Sequence, residues 1–215
     1  DYFEQLKPSS YLLLAPQFFK ADKDLSELYI KNNLELFSSL KTKTTWPMHL
    51  YIPVKYKKAK NVVDLKTQNT NISFHYFNTT PIEGLPFISN LLFEKRLGMP
   101  RPHNVLIPSL MIGINQGFEK ISVLGADHSW LGEISVNQKN EALVNQKHFY
   151  DEQSATSQPM QDYIKRPRKL HEILHKFYLS FKGYWEIKDF AEKQGVQIVN
   201  SSETSMIDAF NKKEL

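Results

Sequence analysis

The order of apolar and polar positions along the chain predicts strands and helices in alternation. Short apolar or alternating runs predict five strands, at residues 11–14, 46–52, 72–77, 120–124 and 196–199. Apolar residues at helical spacing predict helices at 24–40, 105–114 and 170–194, with a partly helical loop at 78–102 and a short last helix around Phe210. Runs 134–136 and 142–144 predict a β-hairpin. This order predicts an α/β sandwich with a mostly parallel sheet and a small hairpin insertion.

Residues 104–130 are the most informative stretch. The helix at 105–114 is apolar on nearly every face, so we expect it to be buried. The β-rich run 120–124 that follows it predicts a central parallel strand. Asp127 and His128 come just after the carboxyl end of that strand, where open α/β sheets bind ligands. The sequence therefore predicts a substrate site at this point.

Composition and charge exclude several classes of protein. The 215 residues are 41% hydrophobic and 23% charged, which fits one large globular domain, or a domain with an appendage. The net charge of +4 does not indicate nucleic acid. Basic residues cluster at 55–60 and 165–169; a solvated surface explains both clusters, and attraction to an anionic substrate or membrane is the alternative. The absence of cysteine excludes disulfides and a thiolate nucleophile.

We expect neither a membrane span nor a signal peptide. No apolar run of the sequence reaches the roughly 18–20 residues that a membrane span needs. We therefore expect a cytoplasmic protein, with the inner face of the membrane as an alternative location. The chain starts at Asp1, close to its first strand, and has no glycine-rich phosphate loop. We expect a preceding strand and its glycine-rich loop to be missing.

Four motifs carry a resemblance to a known family. They are YLLLAPQFF at 11–19, GADHSW at 125–130, HFYD at 148–151 and GVQIVNSSETSMIDAF at 195–210. With them, the chain resembles the C-terminal two-thirds of bacterial family 42 sialyltransferases. The wider related group includes motility accessory factors and archaeal hydroxymethylpterin diphosphokinases. The resemblance implies a Rossmann-like α/β/α sandwich and a transferase that uses a nucleotide-activated sugar.

Two positions depart from the sialyltransferase pattern, so the sugar donor that the resemblance implies is less specific. An asparagine that contacts the donor is replaced here by Ala15, and a tyrosine that touches its phosphate is replaced by Ser129. The implied donor is therefore a nucleotide sugar in general, and the implied acceptor is a hydroxyl of a glycan or glycolipid in cell-surface polysaccharide synthesis. The resemblance implies no metal and no cofactor. Peripheral membrane association and homo-oligomerisation are compatible with it, and nucleic acid is not expected.

The candidate catalytic residues are two histidines and one aspartate. The resemblance implies that His148 takes the proton of the acceptor hydroxyl, a role that suits a histidine with a pKa near neutrality. The alternative is that His148 is a surface residue without a catalytic role. Asp127 would orient a ribose or a catalytic group. His128 would act as a base or would donate a hydrogen bond to a phosphate. The alternative for Asp127 is a turn cap.

Further residues are candidates for substrate binding: Ser129, Tyr150, Asn104, Ser201, Ser202 and Thr204. Tyr150 would hold a phosphate oxygen of the leaving nucleotide, or simply anchor a lid. The hydroxyls at 201–204 precede a predicted helix, where they would bind a phosphate or a carboxylate. Ordinary N-capping explains them equally well, and Asn104 has the same two explanations. His171 and His175 have metal-binding spacing without a third ligand, so a solvated helix face is preferred.

The sequence predicts three parts. Residues 1–130 form a nucleotide-binding α/β core without its first strand, and 131–165 form a hairpin and lid-like insertion. Residues 166–215 add the long helix, the last strand and the short helix that complete the core. Two other functions stay open: a pterin-type pyrophosphokinase, whose magnesium would need the carboxylates of Asp127 and Asp151, and a non-catalytic module that binds a nucleotide sugar or a partner.

Overall fold

The computed structural model describes residues 2–20, 25–145, 157–161 and 166–214. Helices and strands alternate in it, and two of its three-stranded sheets are parallel. The chain therefore has the mixed helix and parallel-strand character that its sequence predicts. It divides into two compact units, Asp1–Ser109 and Leu110–Leu215. The three-part division at residues 130 and 165 stays a prediction.

The first unit contains three parallel strands and their connecting helices. Its elements are α1 (Tyr2–Leu6), β1 (Ser10–Leu12), α2 (Glu27–Lys43), β2 (Met48–Pro53), α3 (Lys60–Gln68), β3 (Ile72–Phe77), α4 (Pro86–Glu94) and the start of α5 (Leu106–Asn115). The strand order is β1-β2-β3, with Pro53 at the end of β2 beside Phe77 at the end of β3. The carboxyl ends of these two strands therefore lie at the same edge of the sheet.

A hydrophobic core on one face of this sheet holds the first unit together. Met48, Leu50 and Ile52 alternate along β2 and thus share a face, where they pack with Leu40 of α2 and with Val62 and Leu65 of α3. Helix α3 is not predicted from apolar periodicity, because only these two side chains of the short helix are buried. The helix is stabilised mainly by this packing.

The second unit contains a parallel sheet, an antiparallel sheet and one long helix. Its elements are the end of α5, β4 (Lys120–Val123), β5 (Ile134–Val136), β6 (Ala142–Val144), β7 (Gln158–Pro159), α6 (Leu170–Lys193), β8 (Gln197–Asn200) and β9 (Asn211–Lys212). The strand orders are β4-β8-β9, all parallel, and β5-β6-β7, all antiparallel. The predicted hairpin, the long helix and the burial of α5 at Ile107, Leu110, Met111 and Ile114 are confirmed.

Two predictions about this second sheet are wrong. Strand β4 lies at the edge of the β4-β8-β9 sheet, where Lys120 and Ser122 are exposed, and the buried middle strand is β8. The chain before Phe210 forms turns, not a helix, and then the short strand β9.

Side chains explain why residues 201–209 do not form a helix. Asn200 accepts a hydrogen bond from the backbone N–H of Ser202 and donates one to the carbonyl oxygen of Ile207. The Ser205 hydroxyl accepts from the N–H of Ile207. Such local side-chain bonds give the backbone an alternative to helical hydrogen bonds.

None of the described helices is both long enough and apolar enough to cross a membrane.

Gly98 lies at a close approach of two backbone segments in the first unit. The N–H of Met99 donates to the carbonyl oxygen of Thr80 (3.1 Å), and the N–H of Ile82 donates to that of Met99 (2.9 Å). A β-carbon at residue 98 would overlap the Thr80 carbonyl oxygen and lie 2.7 Å from the Ile82 side chain. Only a residue without a β-carbon fits here without a backbone shift.

We predict that Gly98→Ala lowers the free energy of unfolding by about 1–3 kcal/mol, because overpacking forces the backbone to move. Gly132→Ala is the matched control: its β-carbon would meet nothing within 4 Å, and we expect a change within about 0.5 kcal/mol. Urea unfolding followed by circular dichroism measures both. Equal effects at the two glycines would contradict the overlap.

Candidate functional site

Parallel pairing of β4 with β8 places two loops side by side. The register runs from Lys120 beside Gln197 to Val123 beside Asn200, and the pairing continues as the N–H of Ser201 donates to the carbonyl oxygen of Val123 (2.8 Å). Both strands end at the same edge of the sheet, so the loops that follow them meet there. We call residues 125–129 and 201–206 the paired-loop site.

Hydrogen bonds between the two loops fix the geometry of the paired-loop site. The N–H of Ala126 donates to the Ser202 hydroxyl (3.1 Å), and the Ser205 hydroxyl donates to the carbonyl oxygen of Ala126 (2.6 Å). The N–H of Met206 donates to the carbonyl oxygen of Asp127 (2.8 Å). Ser202 and Ser205 are buried. Their hydroxyls act as fixed braces between the loops.

Asp127 and Thr204 form the exposed part of the paired-loop site. The Thr204 hydroxyl donates to Oδ1 of Asp127 (3.1 Å), across 77 positions of sequence. Both residues are exposed. The 3-10 turn Ser129–Glu133 that follows has no side-chain cap. An exposed carboxylate and a hydroxyl at the end of parallel strands can together bind the hydroxyl groups of a ligand.

The hydroxyls at 201–204 are brought together with Asp127, but not for the reason expected from sequence. We expected them at a helix N-terminus, and both the phosphate argument and the N-capping alternative depended on that helix. The chain forms turns here, so neither explanation applies. Ser201 differs from its neighbours: its hydroxyl is shielded from solvent and has no hydrogen-bond partner among the described residues. The brace residue Ser205 was missed.

His128 points away from solvent, into an aromatic cluster. Its ring shares a 2.5 Å hydrogen bond with the hydroxyl of the fully buried Tyr184 and packs 4.2 Å from the Trp130 ring, centroid to centroid. Its backbone has φ +55°, a left-handed conformation that few residues other than glycine adopt. The Asp127 side chain is therefore exposed to solvent, whereas the His128 side chain is buried in the aromatic cluster.

Burial changes the acid–base properties of His128. Loss of solvation lowers its pKa from 6.5 to about 4, and the nearby Asp127 carboxylate opposes this shift only in part. A buried imidazole is harder to charge than one in water. His128 is therefore neutral at pH 7 and a weak base.

The remaining predicted residues are found in different places. Ser129 is exposed, next to His128 at the start of the 3-10 turn. Asn104 belongs to the first unit, where its Oδ1 accepts from the N–H groups of Leu106 (3.0 Å) and Ile107 (3.3 Å) at the start of α5. The capping explanation of Asn104 is thus observed. His148 and Tyr150, like Asp151, lie outside the described residues.

A cavity of about 520 Å³ lies beside the paired-loop site, lined by Leu131, Tyr178, Phe181, Lys182, Trp185, Met206 and Asp208. Met206 connects the two, because its N–H bonds to Asp127 while its side chain lines the cavity. The rings of Tyr178 and Trp185 are about half exposed. The Trp185 indole N–H donates to Asp208 (3.2 Å). The cavity is largely aromatic, with one carboxylate and one ammonium group.

The described residues contain no group of three or more His, Asp or Glu side chains arranged to hold a metal ion. His171 and His175 are exposed on α6. Comparison with protein-family models, curated proteins and solved structures finds no match to this chain.

The burial of His128 predicts a pH-dependent stability. Its pKa is 6.5 in the unfolded chain and about 4 when folded, so the unfolded state takes up the proton first as the pH falls. The stability that neutral His128 contributes is fully present above pH 6.5. It is lost progressively between pH 6.5 and 4, on the order of 3 kcal/mol in all.

We therefore predict that His128→Asn flattens this part of the stability profile. Asparagine tolerates the left-handed backbone conformation but does not titrate, so the stability gap between wild type and variant should shrink from pH 7 to pH 4.5. Urea unfolding across this range measures it. His171→Asn, at an exposed site, is the matched control and should follow the wild-type curve. A gap that stays constant with pH would contradict the assigned pKa.

Proposed function

We propose that this chain is a glycosyltransferase. It would transfer a sugar from a nucleotide-activated donor to a hydroxyl of a glycan or glycolipid acceptor in cell-surface polysaccharide synthesis. The observation that supports this most directly is the pairing of Asp127 with Thr204 at the carboxyl ends of β4 and β8, since ligands of open α/β sheets bind at such ends. The finer fold, a Rossmann-like α/β/α sandwich, is part of the proposal.

Charge decides which part of the donor Asp127 contacts. A carboxylate repels phosphate oxygens but accepts hydrogen bonds from ribose or sugar hydroxyls. Thr204 directs its proton to Asp127, which leaves its own lone pairs to accept from a second hydroxyl. In this proposal the two side chains bind a diol of the donor.

The proton of the acceptor hydroxyl needs a base, and the pKa of His128 disfavours that histidine. A general base works best with a pKa near the working pH, whereas that of His128 is about 4. We propose that His128 is a positioning residue, which anchors the loop to Tyr184 so that Asp127 faces solvent. His148, outside the described residues, remains the proposed base.

The aromatic cavity suits a sugar ring. The faces of Tyr178 and Trp185 that line the cavity can pack against the C–H groups of a sugar, and Asp208 can accept from its hydroxyls. Lys182 can donate to the sugar as well as to Glu186, with which it is paired at 2.7 Å. Because Met206 links the cavity to Asp127, a substrate bound in the cavity would lie beside the proposed donor site. We propose that the acceptor binds there.

A nucleotide panel tests the proposal. Thermal unfolding is measured with CMP, CDP, UDP, GDP and ATP, each with and without Mg²⁺. The proposal predicts that at least one nucleotide stabilises the protein without metal, by about 2.7 kcal/mol at a hundredfold excess over its Kd. Stabilisation by ATP that requires Mg²⁺ would instead favour the pyrophosphokinase. No response to any nucleotide would favour a non-catalytic module.

Replacement of Asp127 tests where the nucleotide sugar binds. Asp127→Asn keeps the shape of the side chain but removes its charge, and we expect it to raise the Kd of the donor about tenfold, because hydrogen bonds to charged groups contribute roughly 1.5–3 kcal/mol. Asp189→Asn, at an exposed position of α6, is the matched control. Isothermal titration calorimetry measures both. Equal affinities of the two variants would remove Asp127 from the site.

A further inference from the structure

Helix α4 has the reverse of the usual surface-helix pattern. Its polar residues Ser89 and Asn90 are buried, with 9% and 8% of their surface exposed. Large apolar side chains in and beside the helix are exposed instead: Leu85 (69%), Phe87 (79%), Ile88 (48%), Leu91 (45%) and Leu97 (51%). A surface helix normally turns its apolar stripe toward the core. A contiguous exposed apolar patch marks an interaction surface.

The orientation of α4 is fixed by contacts at its end. Phe93 is 1% exposed and anchors the helix in the first unit. After the helix, the N–H groups of Arg96 and Leu97 donate back to the carbonyl oxygens of Phe93 and Leu92, both at 2.9 Å. The Asn78 side chain, just after β3, donates to the carbonyl oxygen of Leu97 (2.7 Å). The exposed apolar face is therefore built into the fold.

Basic residues lie at the same edge of the first sheet. Lys55, Lys57, Lys58 and Lys60 follow the end of β2, and all four are exposed. The end of β2 lies beside the end of β3, to which α4 is tied through Asn78. The segment 53–60 contains no acidic residue. Near α4, Lys95 and Arg96 are exposed beside Glu94, the one carboxylate of the helix, and the Glu83 carboxylate is paired with Arg101 at 2.7 Å.

The positive charge beside the exposed apolar face of α4 favours an anionic bilayer over a second copy of this chain as the partner. A symmetric contact between two copies would bring together two patches that carry the same lysines, and their like charge disfavours that approach. An anionic bilayer matches both components: its acyl boundary takes up apolar side chains, and its headgroups attract lysine and arginine.

We propose that the first unit docks peripherally on an anionic lipid bilayer through this basic–apolar surface, defined as residues 85–88, Leu91, Lys95, Arg96 and the lysines of 55–60. Phe87, Ile88 and Leu91 insert at the boundary between headgroups and acyl chains, and the lysines contact the headgroups. The inference does not depend on the proposed function, because none of these residues belongs to the paired-loop site.

Vesicle flotation tests the docking. The full chain is mixed with vesicles of phosphatidylcholine alone, or with roughly 30% phosphatidylglycerol. We expect binding to the anionic vesicles only, weakened by added salt. Phe87→Ser with Leu91→Ser should lower the partition coefficient at least about tenfold, and Lys57→Gln with Lys58→Gln should lower it by a similar factor.

The control is Leu34→Ser, which removes a side chain that is 65% exposed on α2 of the same unit and should leave binding unchanged. Circular dichroism shows that each variant is folded. The proposal is overturned if the wild type does not bind anionic vesicles, or if the Phe87 and Leu91 changes weaken binding no more than Leu34→Ser does. It is also overturned if light scattering shows a dimer that these changes dissociate while vesicle binding persists.

Discussion

The parallel pairing of β4 with β8 is the constraint on which the candidate site depends. Residues 123 and 200 are neighbours across the sheet, so the two loops leave the same edge and can bond to each other. Ser202 and Ser205 make those bonds from buried positions. Buried hydroxyls are rarely left without a hydrogen bond, and separating the loops would take Ala126 away from both serines, leaving Ser205 only the N–H of Ile207. This coupling keeps Asp127 and Thr204 at one place, although 77 positions separate them in sequence.

The adjacent residues Asp127 and His128 have different roles: Asp127 is exposed at the proposed site, and His128 is buried and anchors the loop. The left-handed backbone of His128 turns its ring toward Tyr184, while Asp127 stays exposed. The buried ring loses basicity as a consequence, so its main contribution is to anchor the loop. Tyr184 lies on α6, so the hydrogen bond between Tyr184 and His128 anchors the loop to this long helix. Its exposed neighbours Tyr178 and Trp185, on the same helix, line the aromatic cavity. Helix α6 thus supports both proposed substrate sites.

Much of this arrangement could be predicted because it depends on local patterns. Strand β3, the hairpin and α6 follow from apolar periodicity, and Asp127, Ser202 and Thr204 were placed at strand ends by the same argument. The errors come from interactions that periodicity does not contain. Residues 201–209 form turns because Asn200 and Ser205 satisfy the backbone locally, and the burial of His128 depends on a tyrosine 56 positions away. The reversed polarity of α4 also depends on which face is anchored, and the anchors are the buried Phe93 and the bond from Asn78 to Leu97.

Hydrogen exchange of backbone amides tests whether the paired-loop site binds the donor. A nucleotide that stabilises the protein should slow exchange in residues 125–129 and 201–206 beyond the slowing seen elsewhere, because bound ligand reduces local opening. The amides of Ala126 and Met206, which bridge the two loops, should respond together. Protection confined to the first unit, with both loops unchanged, would contradict donor binding at the paired-loop site.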